Sequence, residues 1–236
     1  AAMGQTVAVL SHHIKNILQG VGGGGYLIRK GVRDGNAEMA EQGLGIVERN
    51  HTRISDLVMD MLSFSKERVP DLRSGDVNVV CRDVLQLAQH RADENGVTLE
   101  QRLGELPTAH FDSEGIHRAL LNIVLNGIDA VAEHEDGRVI VQTEYDSSND
   151  IMLVAVTDNG PGIPDDQHAA VFQVFESSKG ERGTGIGLPV SRKIIREHGG
   201  RIRIEGGPGL GTRFVLSWPR GNPEEPLESS TSAGLT

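Results

Sequence analysis

Three polar side chains share one face of an otherwise apolar segment. In "ALLNIVLNGIDAV", Asn122, Asn126 and Asp129 fall at i, i+4 and i+7. That spacing puts them on one side of a helix, about a turn apart. Their oxygens suit a hard divalent cation such as Mg2+ held together with nucleotide phosphates, and a plain half-exposed polar stripe has the same spacing. Downstream, "DNGPGIP" runs from Asp158 to Pro164: a carboxylate, then two glycines and two prolines, which make a rigid turn with accessible backbone. A second cluster, "SSKGERGTGIGL" (Ser177 to Leu188), sets Gly183, Gly185 and Gly187 before a predicted helix. Backbone N–H groups and a helix N-terminus there can cradle phosphate oxygens, with Lys179 close in sequence to supply positive charge. The cluster is not a Walker loop, for it lacks Gly-Lys-Ser/Thr, and no strand leads directly into it as a Rossmann fingerprint requires. Phe172 and Phe175, two of five phenylalanines, read as packing anchors for a mobile loop between the glycine clusters.

A second kind of chemistry sits near the start. "LSHHIKNILQGVGGGGYLI" (Leu10 to Ile28) holds adjacent histidines, His12 and His13, with Asn16 a turn later and five glycines beyond. Glycine costs an exposed helix interior roughly 1 kcal/mol each, so propensity opposes the helix that periodicity demands. Apolar residues recur at Val7, Leu10, Ile14, Ile17, Val21 and Ile28, with Gly24 filling the one gap in the heptad pattern. Gly43, Val47, Asn50, Ile54, Leu57, Met61 and Phe64 repeat it after the turn signal "RDGN" (Arg33 to Asn36). Two such helices make an antiparallel hairpin. With Val7 and Leu10 at a and d, His12 takes f, pointing to solvent, His13 takes g and Asn16 takes c. Leu44, Val58 and Leu62 form a further stripe that one hairpin cannot bury. A homodimeric four-helix bundle would bury it, and packing there would offset the glycines.

Beyond the hairpin the periods change. "VPDLRSGD" (Val69 to Asp76) reads as a linker, followed by a helix in "VVCRDVLQLAQHRADENG", strands "VTLEQRL" and "TAHF", and a helix from Ser113 to about Glu133. Strands "RVIVQTEY" and "IMLVAVTD", a helix "GLPVSRKIIREHG" and strands "RIRIEG" and "TRFVLSW" complete the pattern. The expected fold is α+β: the helical hairpin, then an α/β sandwich with a mixed, mostly antiparallel sheet and helices on one face. The expected boundaries are 1–69 for the hairpin, 70–75 for a linker, 76–219 for the sandwich and 220–236 for a disordered tail.

A net charge of −10 and a pI near 5.4 argue against a nucleic-acid or anionic-membrane surface as the main partner. The single cysteine, Cys81, excludes an intrachain disulfide and fits a reducing, cytoplasmic setting. No run approaches 18 apolar residues, so no membrane insertion is expected. The opening residues read as a helix already under way, as in a piece of a longer protein.

Taken in order, the stripe, "DNGPGIP", "AVFQVFESSK" and the second glycine cluster resemble the N, G1, F and G2 boxes of Bergerat-fold ATPases, and among them the sensor histidine kinases. "LSHHIKN" resembles the H box of their dimerisation and phosphotransfer hairpin, and "MLSFSKER" its usual end. The resemblance spans roughly residues 5 to 218. It implies that Asp158 accepts from the adenine amine of ATP, with Gly160 and Gly162 admitting the nucleotide to the backbone. It implies that Asn126, with Asn122 beside it, ligates Mg2+, and that Asp129 completes the stripe at the nucleotide. Lys179, Gly183, Thr184, Gly185, Gly187 and Leu188 would hold the phosphates. A gyrase-like ATPase of this fold would carry a water-activating glutamate at the place of Asn122, so the amide favours phosphoryl transfer over hydrolysis. His12 matches the phosphoacceptor and Asn16 the amide that orients water when the partner is dephosphorylated. Two positions depart from the family: His13 stands where an acid is usual, and Ile17 where proline is common. The implied partner is the receiver domain of a response regulator. Two rival readings are a serine kinase of the anti-sigma type and a non-enzymatic dimeric scaffold.

Overall fold

The computed structural model describes residues 2–65, 69–174 and 185–221. The fold is α+β, and the chain divides into two compact units, Ala1–Arg68 with Ala169–Val190 and Val69–His168 with Ser191–Thr236. In the first, helix α1 (Ala2–Asp34) turns back into helix α2 (Ala37–Ser65). The reversal takes two residues. Gly35 sits at φ +67°, and the Asn36 N–H donates to the Gly31 carbonyl at 2.8 Å, the closing bond of a Schellman motif. Asn36 then caps α2, its side chain accepting from the Met39 N–H at 3.0 Å.

The glycines of α1 divide into two groups. A Cβ on Gly24 would stand 2.7 Å from the Gly43 carbonyl and 2.8 Å from Val47 Cγ2, and one on Gly43 would stand 2.8 Å from the Ile28 nitrogen. A Cβ on Gly20 would meet the Asn50 amide at 2.6 Å. Asn50 is itself buried, and its Nδ2 donates to the Ile46 carbonyl at 2.8 Å. The two helices therefore touch backbone to backbone at Gly24 and Gly43, a distance that only a missing side chain permits, while Gly20 makes room for the Asn50 side chain. Gly22 and Gly23 meet nothing, so they carry the helix penalty without a contact in this chain. Leu18, Val32, Leu44, Val58 and Met61 remain exposed on the hairpin.

The second unit is built on a five-stranded sheet in the order β2-β4-β5-β7-β6. Its strands are β2 (Thr98–Leu103), β4 (Arg138–Asp146), β5 (Ile151–Asp158), β6 (Arg201–Gly206) and β7 (Thr212–Pro219). β2 and β4 run parallel and the other pairs antiparallel. Helices α3 (Val77–Glu94) and α4 (Ser113–Val131), with helix α5 (Gly187–Glu197) from Ser191 onward, complete the set. On α3 the buried residues are Val77, Val80, Cys81, Val84, Ala88 and Ala92, one stripe at helical spacing. β4 alternates, with Val139, Val141 and Thr143 turned inward.

Two expected boundaries differ from the structure. The segment 70–75, expected as a linker, contains strand β1 (Arg73–Gly75), paired antiparallel with β3 (Ala109–Phe111). Three residues are too few to show alternation, and Pro70 and Gly75 dominate the local signal. At the other end, Arg220 falls in the expected tail yet is fastened to the sheet. Its N–H donates to the Asp150 carbonyl at 2.9 Å, its Nε to Asp150 Oδ1 at 2.6 Å, and its carbonyl accepts from the His110 N–H at 2.8 Å.

Two predictions follow from packing and burial. Gly24→Ala should destabilise the hairpin by roughly 1–3 kcal/mol through overpacking, whereas Gly23→Ala, with open space, should stabilise it by roughly 0.5–1 kcal/mol. Urea unfolding monitored by circular dichroism checks both signs. Burial pushes the Cys81 thiol up from an ordinary 9.0 to about 12. The folded state then keeps its proton where the unfolded chain gives it up, so stability should fall as pH rises from about 9 towards 12. Cys81→Ala should flatten that slope in urea titrations at stepped pH.

Candidate functional site

Helix α4 carries the polar stripe, and both of its ends are fixed. At its start Asp112 is the N-cap, accepting from the Gly115 N–H at 3.0 Å. The Asp112 N–H in turn donates to His198 Nε2 at 2.9 Å, while His198 Nδ1 lies 2.7 Å from the Ile194 carbonyl. A backbone N–H can only donate, so Nε2 is the acceptor and Nδ1 carries the proton of a neutral ring. Ser191 Oγ donates to the Ala119 carbonyl at 3.2 Å, and Ile194 Cγ2 comes within 3.3 Å of where a Cβ on Gly115 would be. Residues 191, 194 and 198 of the chain thus meet 119, 115 and 112 in an antiparallel seam.

The other end of α4 lies against the end of β5. A Cβ on Gly127 would approach Asp158 Cβ to 3.7 Å, and one on Gly160 would approach the Ala130 carbonyl to 3.2 Å. Asp158 is the last residue of β5 and is 5% exposed. Its Oδ1 accepts from the Gly160 N–H at 2.9 Å and the Thr212 N–H at 3.3 Å. Gly162 sits at φ +76°, and a side chain there would run into the Gly207 carbonyl. Asn159 fixes the turn from outside, its Oδ1 accepting from the Arg138 N–H at 2.7 Å and its Nδ2 donating to the Asp136 carbonyl at 2.8 Å.

Asn122, Asn126 and Asp129 all lie half-buried on α4, opposite its buried face of Ile116, Leu120, Ile123, Val124 and Ile128. The structure sets the later turns of the same helix, at Gly127 and Ala130, against Asp158 and Gly160. Asp129, however, is engaged with α3: Arg91 Nε and Nη2 reach its Oδ1 at 3.0 and 2.6 Å. It stands in an ion pair, not as a bare carboxylate presented to a nucleotide. Among the described residues no cluster of three or more His, Cys, Asp or Glu could hold a metal by itself. Two amides one turn apart fit Mg2+, which keeps water and arrives with phosphates.

Gly185, at φ +65°, precedes α5, whose first residues are Gly187 and Leu188. Lys179, Gly183, Thr184 and Phe175 lie outside the described residues, and Phe172 closes a short 3-10 turn. His12 is exposed on α1 and Asn16 half-buried; His13 lies on the same helix, and its side chain is outside what is described. Sequence reasoning missed Thr212, His198 and Arg91. Only Thr212 left a signal, as the first residue after a glycine-rich turn in a strand.

The geometry belongs to a known class. Residues 111–222 match the family described as histidine kinase-, DNA gyrase B- and HSP90-like ATPase. The wider chain narrows that class. It is 31% identical to the sensor histidine kinase ZraS of Escherichia coli O157:H7 over 220 residues, covering 92% of this chain and 46% of ZraS. It superposes on the crystal structure of histidine kinase ThkA in complex with response regulator protein TrrA with a TM-score of 0.76 at 25% identity, covering 94% of this chain and 63% of that one. Full-length ShkA in complex with AMPPNP gives 0.68 at 26%, covering 91% and 45%. The chain carries the catalytic core of the sensor histidine kinases, and it spans less than two thirds of each of these relatives. Among the described residues no helix is long and apolar enough to cross a membrane.

The seam between α4 and residues 191–198 yields a test. His198→Phe leaves the Asp112 N–H and the Ile194 carbonyl without that partner, and should cost on the order of 1–3 kcal/mol. Thermal unfolding of the variant checks it.

Proposed function

We propose that this chain phosphorylates itself on His12 from ATP and passes the phosphoryl group to an aspartate on the receiver domain of a response regulator. One observation carries the reading: a buried carboxylate, Asp158, aimed by two backbone N–H groups beside a helix with paired amides, in a chain that also exposes His12 on a helical hairpin. Asp158 would accept from the adenine amine, which selects ATP over GTP, whose corresponding group is a carbonyl. Asn122 and Asn126 would hold Mg2+, which neutralises phosphate charge when bound. Lys179 and the glycine loop through Gly183, Thr184, Gly185, Gly187 and Leu188 would hold the phosphates.

Neutral His12 Nε2 attacks the γ-phosphorus in line; the N–P bond forms as the bond to the bridging oxygen breaks, and ADP leaves. The Nδ1 proton passes to a base, and His13, where the family has an acid, is the residue proposed for it. Asn16 would orient water when the partner is dephosphorylated. The exposed apolar residues of the hairpin support a homodimer, whose four-helix bundle would cover them. The hairpin at 1–69 and an ATP-binding body at 76–219, extended to take in β1 and Arg220, are the proposed domains, and the cytoplasm the proposed setting. The presence of the hairpin supports a histidine acceptor over a serine kinase of the anti-sigma type.

Incubation with γ-labelled ATP and Mg2+ should give acid-labile, base-stable label on the wild-type chain. His12→Gln should abolish the label and leave ATP affinity within about twofold, since it removes the nucleophile and not the nucleotide site. Asp158→Asn should weaken ATP by about tenfold or more, because the amide brings a donor where only an acceptor serves. Label persisting on His12→Gln would move the acceptor elsewhere, and acid-stable label would favour the serine kinase.

A further inference from the structure

Asp129 is an odd residue for its place. If the nucleotide runs from its base at Asp158 to its phosphates at Asn126 and Asn122, it passes the last turns of α4. The contacts of Gly127 and Gly160 set those turns against Asp158. Asp129 shares a helix face with both amides, so the same path would pass it. A bare carboxylate there would oppose the triphosphate, and its repulsion would fall on the group that must be held still. Arg91 meets it from α3 with two nitrogens on one oxygen, at 3.0 and 2.6 Å. The side chains are 50% and 28% exposed, so the pair adds little to the stability of the fold. Its position, not its strength, is what calls for an account.

We propose that Arg91 is a nucleotide-positioning residue: it cancels the charge of Asp129 on the phosphate-bearing side of α4 and thereby admits the triphosphate. The proposal rests on the nucleotide reading of Asp158, Asn122 and Asn126 given above. Its place in the molecule is favourable, because the C-terminal turn of α3 is itself pinned. Asn95 Nδ2 donates to the Arg91 carbonyl at 2.7 Å, and the Asn95 N–H to the Ala92 carbonyl at 3.1 Å. The guanidinium is thus carried by a fixed backbone, and two bonds set its plane. Because the effect is one of charge, it should grow with ligand charge and shrink with salt.

Calorimetry on the full chain would compare Mg2+·ATP with uncharged adenosine, at low and high salt. Arg91→Ala should weaken ATP on the order of 5- to 20-fold at low salt and adenosine by less than about twofold. Adding Asp129→Asn to that variant should restore ATP to within about threefold of wild type. An unchanged ATP affinity in Arg91→Ala would overturn the proposal, as would an equal loss for both ligands or a double variant as weak as the single. Asp158→Asn is run alongside. If it loses both ligands while Arg91→Ala is silent, only the role of Arg91 falls. If it retains both, the nucleotide reading falls and takes the role of Arg91 with it.

Discussion

A carboxylate that is 5% exposed at the end of a strand must have fixed donors facing it, since an ion buried without them costs several kcal/mol. Asp158 finds them in backbone N–H groups. One comes from Thr212, its direct register partner on β7, and the other from Gly160, two residues on. Both donors impose conditions on the chain around them. The turn after β5 must fold back within two residues, which sets Gly160 against α4. The strand before Thr212 must arrive from a tight loop, and Gly211 sits there at φ +77°, where a side chain would run into the Asp158 carbonyl. Gly162 is held in the same way by the Gly207 carbonyl. Gly160 and Gly211 are thus required by the close packing around Asp158, and Gly162 by the loop that faces it. Backbone donors also have no rotamers to choose among, so the carboxylate they hold stays aimed.

The strongly periodic elements were legible from the residues. β4 alternates and β5 is a short apolar run, the two flank a polar turn, and α4 shows an unbroken apolar face, so these strand and helix positions could be read to within two residues. Elements fixed by partners far along the chain were not. β1 has three residues and exists because β3 lies beside it. Arg220 belongs to the ordered body through an ion pair with Asp150, seventy positions earlier. At the site, Asp158, Gly160 and the asparagines stood out because polar or flexible residues broke apolar runs. Thr212 acts through its N–H, which every residue but proline owns, so only its place after a glycine-rich turn, and not its type, marked it. His198 and Arg91 act on partners 86 and 38 positions away, and nothing in their local sequence points to those partners.

The hairpin shows the same limit from the other side. Helix propensity argued against α1, and the heptads argued for it; the structure sides with the heptads. Propensity fails there because the penalty is local and the contact is not. At Gly24 and Gly43 the missing side chains let two backbones meet, and a helix pair held so closely has little freedom to rotate. Asn50 over Gly20 adds a buried amide that bonds its own helix, a polar insertion that favours one register over its neighbours.

In the second unit the register of α4 is set at both ends by different means. Its N-cap is tied to His198, which must be neutral to accept the Asp112 N–H, and its last turns rest on Gly160 and Asp158. The two ties are many residues apart in sequence and enclose the stripe of Asn122, Asn126 and Asp129. A helix tied at one end alone could slide or tilt by a fraction of a turn, carrying its amides away from the strand end. With both ends held, the distance between Asp158 and the amides becomes a property of the fold rather than of any ligand. That is the condition under which a site, were a nucleotide bound there, would be formed before its ligand arrived.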